Sequence, residues 1–143
     1  MPVAKIYVAA KTHDFHRARD LMHRLRETGH TITYDWTQQV EEVGPSHENE
    51  KAQDPEFLHE CAVADVQGVR DCDWFVAIGN KDACGTLIEL GIAVGLKKPI
   101  YILDIAEFRY SIFWRLPQVF TVHDEDVLVS AFSSNVATQV NFA

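Results

Sequence analysis

The chain has 143 residues, the usual size of one domain, and 47% of them are apolar, enough to build a core. Its 21 acidic side chains outnumber 13 basic ones for a formal net charge of −8, which argues against a polymeric nucleic acid partner, because such binders need a basic patch. A single nucleotide needs only one or two local cations, so it remains compatible with this charge.

The longest apolar stretch, residues 85–96, is too short to span a bilayer and contains Glu89. No signal peptide, no membrane partner and a cytoplasmic location are therefore expected. Cys61, Cys72 and Cys84 are odd in number, widely spaced and free of any C-x-x-C pattern, which predicts reduced thiols and no zinc site. The closest histidine pair, His13 and His16, lacks acid or thiol ligands at matching spacing. Neither a metal nor a cofactor is expected.

Residues 5–10 (KIYVAA) predict the first strand. Residues 14–28 predict a helix, with Phe15, Ala18, Met22 and Leu25 at helical spacing and Gly29 placed to stop it. Residues 30–36 (HTITYDW) are β-branched and aromatic and predict the second strand. Residues 37–53 are polar without clear periodicity, the composition of a lid or mobile connection. Asp54-Pro55 predicts a helix start, and that helix runs to about Arg70.

Residues 74–79 (WFVAIG) form a continuous apolar run, the mark of a central parallel strand. Gly85-Thr86 opens a helix to about Leu96, and residues 99–103 predict a fourth strand. Residues 108–117 are aromatic and irregular. Residues 118–122 suggest a short fifth strand, followed by a weak helix from Asp124 or Asp126. The last dozen residues carry no placement. Alternating strands and helices predict one α/β domain over residues 1–143, a flavodoxin- or Rossmann-like three-layer sandwich on a four- or five-stranded parallel sheet. Ligands bind such sheets at the carboxyl ends of the strands, here the loops starting at Ala10, Trp36, Gly79 and Leu103.

Glu89 is the only ionisable residue in an otherwise apolar helix, where a carboxylate must be paired, hydrogen-bonded or functional. A place in the first turn would set it near the positive end of the helix dipole and favour the ionised form, as a nucleophile requires. Thr86 and Glu89 also make a T-x-x-E capping box, in which Glu89 would only return to a backbone amide. Asp65 lies on or beside the apolar stripe Leu58, Ala62, Val66 and Val69, either as a buried acid or as an exposed one at the stripe's edge. Tyr7 is in the first strand, where core packing is the default, and a solvated turn is the default for Asn80 and Asp82. Lys11, His13, Arg17 and Arg19 gather at the first strand-to-helix junction, as a phosphate cradle or as a charged helix face. Trp36 can stack on a base or pack in the core.

Together, KIYVAA, GHTITYDW and the long run from Ala64 to Leu103, with its G-T-x-x-E-x-G and K-P, resemble the nucleoside 2-deoxyribosyltransferase family. The resemblance covers Lys5 to about Leu103. It implies that Glu89 is a nucleophile toward an anomeric carbon, that Asp65 contacts the sugar or base, and that Tyr7 stands beside the nucleophile. Substrate contacts are expected from Ala10, Lys11 and Trp36 after the first two strands, and from Asn80, Asp82, Gly85 and Thr86 after the third. Family members usually carry a further acid six residues before the nucleophile. Ala83 holds that place here, one step after Asp82.

The implied activity is cleavage or exchange of an N-glycosidic bond in a nucleoside or nucleotide. Its alternatives are a nucleoside monophosphate N-glycosidase and a non-catalytic nucleotide-binding protein. Gly91 and Gly95 leave a flat strip on an apolar helix, and Phe108, Tyr110, Phe113 and Trp114 make an aromatic segment. One or both are expected at a homo-oligomer interface.

Overall fold

The computed structural model describes residues 3–133, so most of the unplaced C-terminal segment lies outside the described residues. Five strands, β1 (Lys5–Ala9), β2 (Thr31–Ile32), β3 (Trp74–Ile78), β4 (Ile100–Leu103) and β5 (Val119–Val122), form one parallel sheet in the order β2-β1-β3-β4-β5. Every residue of β3 and β4 is buried, which accounts for their unbroken apolar sequence.

Among the described residues six α-helices accompany the sheet: α1 (Phe15–Glu27), α2 (Thr37–Val43), α3 (His47–Lys51), α4 (Pro55–Asp71), α5 (Cys84–Gly95) and α6 (Glu125–Ser133). The chain moves one way from β1 to β2 and the other way through β3, β4 and β5. With right-handed crossovers that reversal puts α1 and α6 together on one face and α4 and α5 together on the other. It also opens a crevice between the carboxyl ends of β1 and β3, the switch point where such sheets bind ligands. The α/β architecture is the one expected, with five strands.

Helix ends follow local chemistry. Asp54 accepts from the Glu56 amide at 3.1 Å, with Pro55 as the first helical residue of α4. Gly29, at φ 95°, follows the end of α1.

Three expectations need correction. The second strand stops at Ile32 rather than Trp36. Beyond it the chain trades sheet pairing for tertiary partners: the Thr33 hydroxyl donates to the Gly68 carbonyl at 2.7 Å, and the Trp36 indole donates to the Val8 carbonyl at 2.7 Å. The polar connection is not structureless, since it contains α2 and α3. Asp35 accepts from the Thr37 amide at 3.0 Å, Gly44 at φ 97° closes α2, and Ser46 accepts from the Asn49 amide at 3.0 Å to start α3.

The third correction concerns Glu89. Helix α5 begins at Cys84, with Ala83 in the capping position and no side-chain cap, so Glu89 lies one turn further in than expected. Thr86 is already helical, and its hydroxyl is buried without a hydrogen-bond partner. The capping box does not form.

Candidate active site

Three elements bring three distant residues together. Tyr7 comes from β1, is fully buried, and stacks on Phe75 of β3 with ring centroids 5.8 Å apart. Its hydroxyl donates to Glu89 Oε2 on α5. Asp65 arrives on α4, and one Oδ atom is buried with no hydrogen-bond partner. The next turn of α4 carries Gly68, where an added Cβ would sit 2.9 Å from two Tyr7 ring carbons and 3.0 Å from Tyr34 Cβ. The missing side chain lets α4 approach the tyrosine this closely.

These residues line a cavity of about 160 Å³ at the carboxyl end of the sheet. Of the residues singled out in the sequence, Tyr7, Ala10, Lys11, Trp36, Asp65, Asp82, Gly85, Thr86 and Glu89 all face it. Asn80 does not. Its side chain donates to Asp14 at 3.2 Å and accepts from the Asp82 amide at 2.9 Å, and it lines an adjoining cleft with Arg17 and Asp104. Ala83, the place of the family's further acid, also lines it, and Thr12, His47, Glu50 and Cys84, which no motif revealed, complete the cavity.

A second lobe of about 110 Å³ opens between α2, α3 and α4, with Val40, Val43, Phe57 and Leu58 on its walls. Thr12, Trp36, Glu50 and Asp65 border both lobes and form the waist between them. One lobe is thus acidic and the other largely apolar.

Of the two readings open for Lys11, His13, Arg17 and Arg19, the phosphate cradle does not form. Arg17 pairs with Asp104 at 2.6 Å, and Arg19 bonds to the Thr37 carbonyl at 3.1 Å and Glu41 at 2.9 Å. Lys11 alone of the four faces the cavity, and Asp82 stands 3.8 Å from its ammonium.

Burial, then the charge of Asp65, pushes the Glu89 carboxyl up to about 8, while the Tyr7 hydrogen bond pulls it down. Burial and Glu50 push Asp65 up to about 7. Burial and the two carboxylates raise Tyr7 far above the ordinary phenol value, so it stays a donor. The ionised form of Glu89 is therefore disfavoured, opposite to the expectation from a first-turn position. Lying past the first turn, it gains little from the helix dipole and carries the full cost of burial.

A family model described as nucleoside 2-deoxyribosyltransferase matches residues 6–133. The chain belongs to that family. Among curated proteins none matches it. Two solved structures share the family's fold with this chain. One is a 2-deoxyribosyltransferase from Bacillus psychrosaccharolyticus, with 21% identity, a TM-score of 0.63, and coverage of 94% of this chain and 95% of that one. The other is the CMP N-glycosidase of Clostridium botulinum, with 20% identity, a TM-score of 0.56, and coverage of 88% and 95%. No helix among the described residues is long and apolar enough to cross a membrane.

Proposed function

We propose that this chain, as a single catalytic domain, cleaves or exchanges the N-glycosidic bond of a nucleoside or nucleotide by a retaining two-step transfer. The observation that carries the reading is the pair of half-buried carboxyls, Asp65 and Glu89, facing one cavity beside Tyr7. Burial raises both toward neutrality, to about 7 and about 8, so the pair can share one proton there, and attack uses the form in which Glu89 is ionised and Asp65 is protonated. Retaining glycosyl transfer needs that count: one carboxylate to attack and one acid to protonate the leaving base.

In the first step Glu89 attacks the anomeric carbon as the C1′–N bond breaks, and the departing base nitrogen takes the Asp65 proton. In the second, an acceptor nitrogen or water attacks the anomeric carbon, Glu89 leaves, and Asp65 recovers a proton from the acceptor. Asp65 suits the acid role because it borders both lobes, where the bond between sugar and base would cross. Ala83 has no proton to give, and Asp82 is at the rim, 71% exposed and paired with Lys11. Tyr7 holds the Glu89 carboxylate in position.

The same reading includes a homo-oligomer working in the cytoplasm. Leu87 and Ile88 of α5, with Tyr110, Ile112 and Phe113, are exposed apolar side chains, and a groove of about 430 Å³ separates α5 from the aromatic segment. Gly91 and Gly95 leave that helix surface open. Light scattering that gave a monomer at micromolar concentration would overturn the assembly.

The deciding experiment incubates the protein with the four 2′-deoxynucleosides and their 5′-monophosphates, with and without a second free base, and follows the bases by chromatography. Base exchange marks a transferase, and base release without an acceptor marks a hydrolase. Intact-mass measurement should detect a sugar adduct in the wild type and none in Glu89→Gln. Binding without turnover of any of them would sink the catalytic reading in favour of a nucleotide-binding protein.

A further inference from the structure

Helix α3 brings two residues into the acidic lobe that the mechanism above leaves without a task. His47 and Glu50 both line the cavity containing Glu89, and His47 Nδ1 stands 3.7 Å from Glu50 Oε2. Resting on the proposed glycosyl transfer, we infer that His47 and Glu50 are specificity-determining residues that hold the free hydroxyls of the sugar and reject its 5′-monophosphate.

The sugar must occupy this lobe, because its anomeric carbon has to reach Glu89. Around it stand Glu50, Asp65, Asp82 and Glu89, against Lys11, whose charge Asp82 already faces, and His47, which faces Glu50. The lobe disfavours added negative charge: beyond the effect of burial, the charge of Glu50 raises Asp65 and the charge of Asp65 raises Glu89. A phosphate dianion would meet the same repulsion twice over. Arg17 and Arg19, the cations best suited to offset it, are tied to other partners. A neutral hydroxyl meets the opposite reception, because carboxylates accept hydrogen bonds strongly. The lobe also carries an open polar position: Thr86 is 2% exposed and lines it, with a hydroxyl that has no partner.

The test compares kcat/KM for each 2′-deoxynucleoside and its 5′-monophosphate in the wild type, Glu50→Gln and His47→Gln. The wild type should favour the nucleoside by about tenfold or more. Glu50→Gln should move that ratio about tenfold toward the monophosphate, mainly through the monophosphate KM, because one repelling charge is gone. His47→Gln should raise the nucleoside KM more than it lowers kcat. A wild type that prefers the monophosphate overturns the inference while leaving the proposed reaction standing. So does a Glu50→Gln variant in which the KM of both substrates rises by the same factor and their ratio is unchanged, the result of a purely structural role. If the folded wild type turns over neither substrate, the proposed reaction itself fails and this inference falls with it.

Discussion

The Tyr7 hydroxyl donates a hydrogen bond to the carboxylate of Glu89, joining the first strand of the sheet to the second turn of α5. Without that bond the buried Glu89 would be still harder to ionise, because desolvation and Asp65 both oppose its charge. Tyr7 thus works as the counterweight that keeps a buried nucleophile usable.

Tyr7→Phe removes the counterweight and leaves the ring stack on Phe75. The acid limb of the kcat/KM profile should move to higher pH, so that activity drops more at pH 6 than at pH 9. A pH profile of the purified variant against a deoxynucleoside checks this, and an equal loss at both pH values would assign Tyr7 a packing role only.

Asp65→Asn removes the proposed acid. Turnover of ordinary nucleosides should drop by about 10²- to 10⁴-fold, the usual scale for a lost general acid. A deoxyriboside with a nitrophenolate leaving group needs no proton and should lose much less. Steady-state rates for both substrates provide the measurement, and equal losses on the two would remove Asp65 from the acid role.

Gly68→Ala introduces a methyl group 2.9 Å from the Tyr7 ring. The ring is fully buried and has nowhere easy to go, so the hydroxyl should shift off Glu89. A stability loss of about 1–3 kcal/mol is expected from overpacking, with kcat falling more than KM rises. Thermal unfolding and kinetics on the same preparation test this, and a variant with unchanged kcat would show that the site tolerates the displacement.

Stability should carry the mark of the two strained carboxyls. Each has a folded-state value above its ordinary one: Glu89 moves from 4.5 to about 8 and Asp65 from 3.8 to about 7. The folded state therefore binds more protons between these limits, and their contribution is lost as pH rises from about 4 to about 8. Glu89→Gln escapes the loss. In urea titrations it should match the wild type near pH 4.5 and exceed it by a few kcal/mol, on the order set by the shift, at pH 8. A difference that stays constant with pH would contradict the burial of an ionisable Glu89.

Much of this architecture is legible in the residues because their local and global preferences agree. The apolar runs at β3 and β4 are strands buried on both faces, and Asp54-Pro55 opens a helix where it should. Glu89 stands out because a lone acid among Leu, Ile, Ala and Val needs a reason. The second strand is over-read because Thr33 and Trp36 find partners on α4 and β1, which composition does not encode. His47 and Glu50 pass unnoticed for a different reason: a short polar helix has the composition of solvated loop, and only its N-cap, Ser46, gives it away. Arg17 and Arg19 look alike in sequence, yet each is drawn to an acid far along the chain or across α2.

The indole of Trp36 is pinned to the Val8 carbonyl, at the carboxyl end of the strand that bears Tyr7. One wall of the waist is therefore continuous with the sheet, whereas Glu50 comes to it on α3. Bond-making machinery and ligand-reading surface occupy separable stretches of chain. Grafting residues 44–53 from a relative with another preference should retune substrate choice while adduct formation at Glu89 persists. Such a division lets a lineage drift between substrates without rebuilding its chemistry, and it offers the protein engineer a short exchangeable cassette.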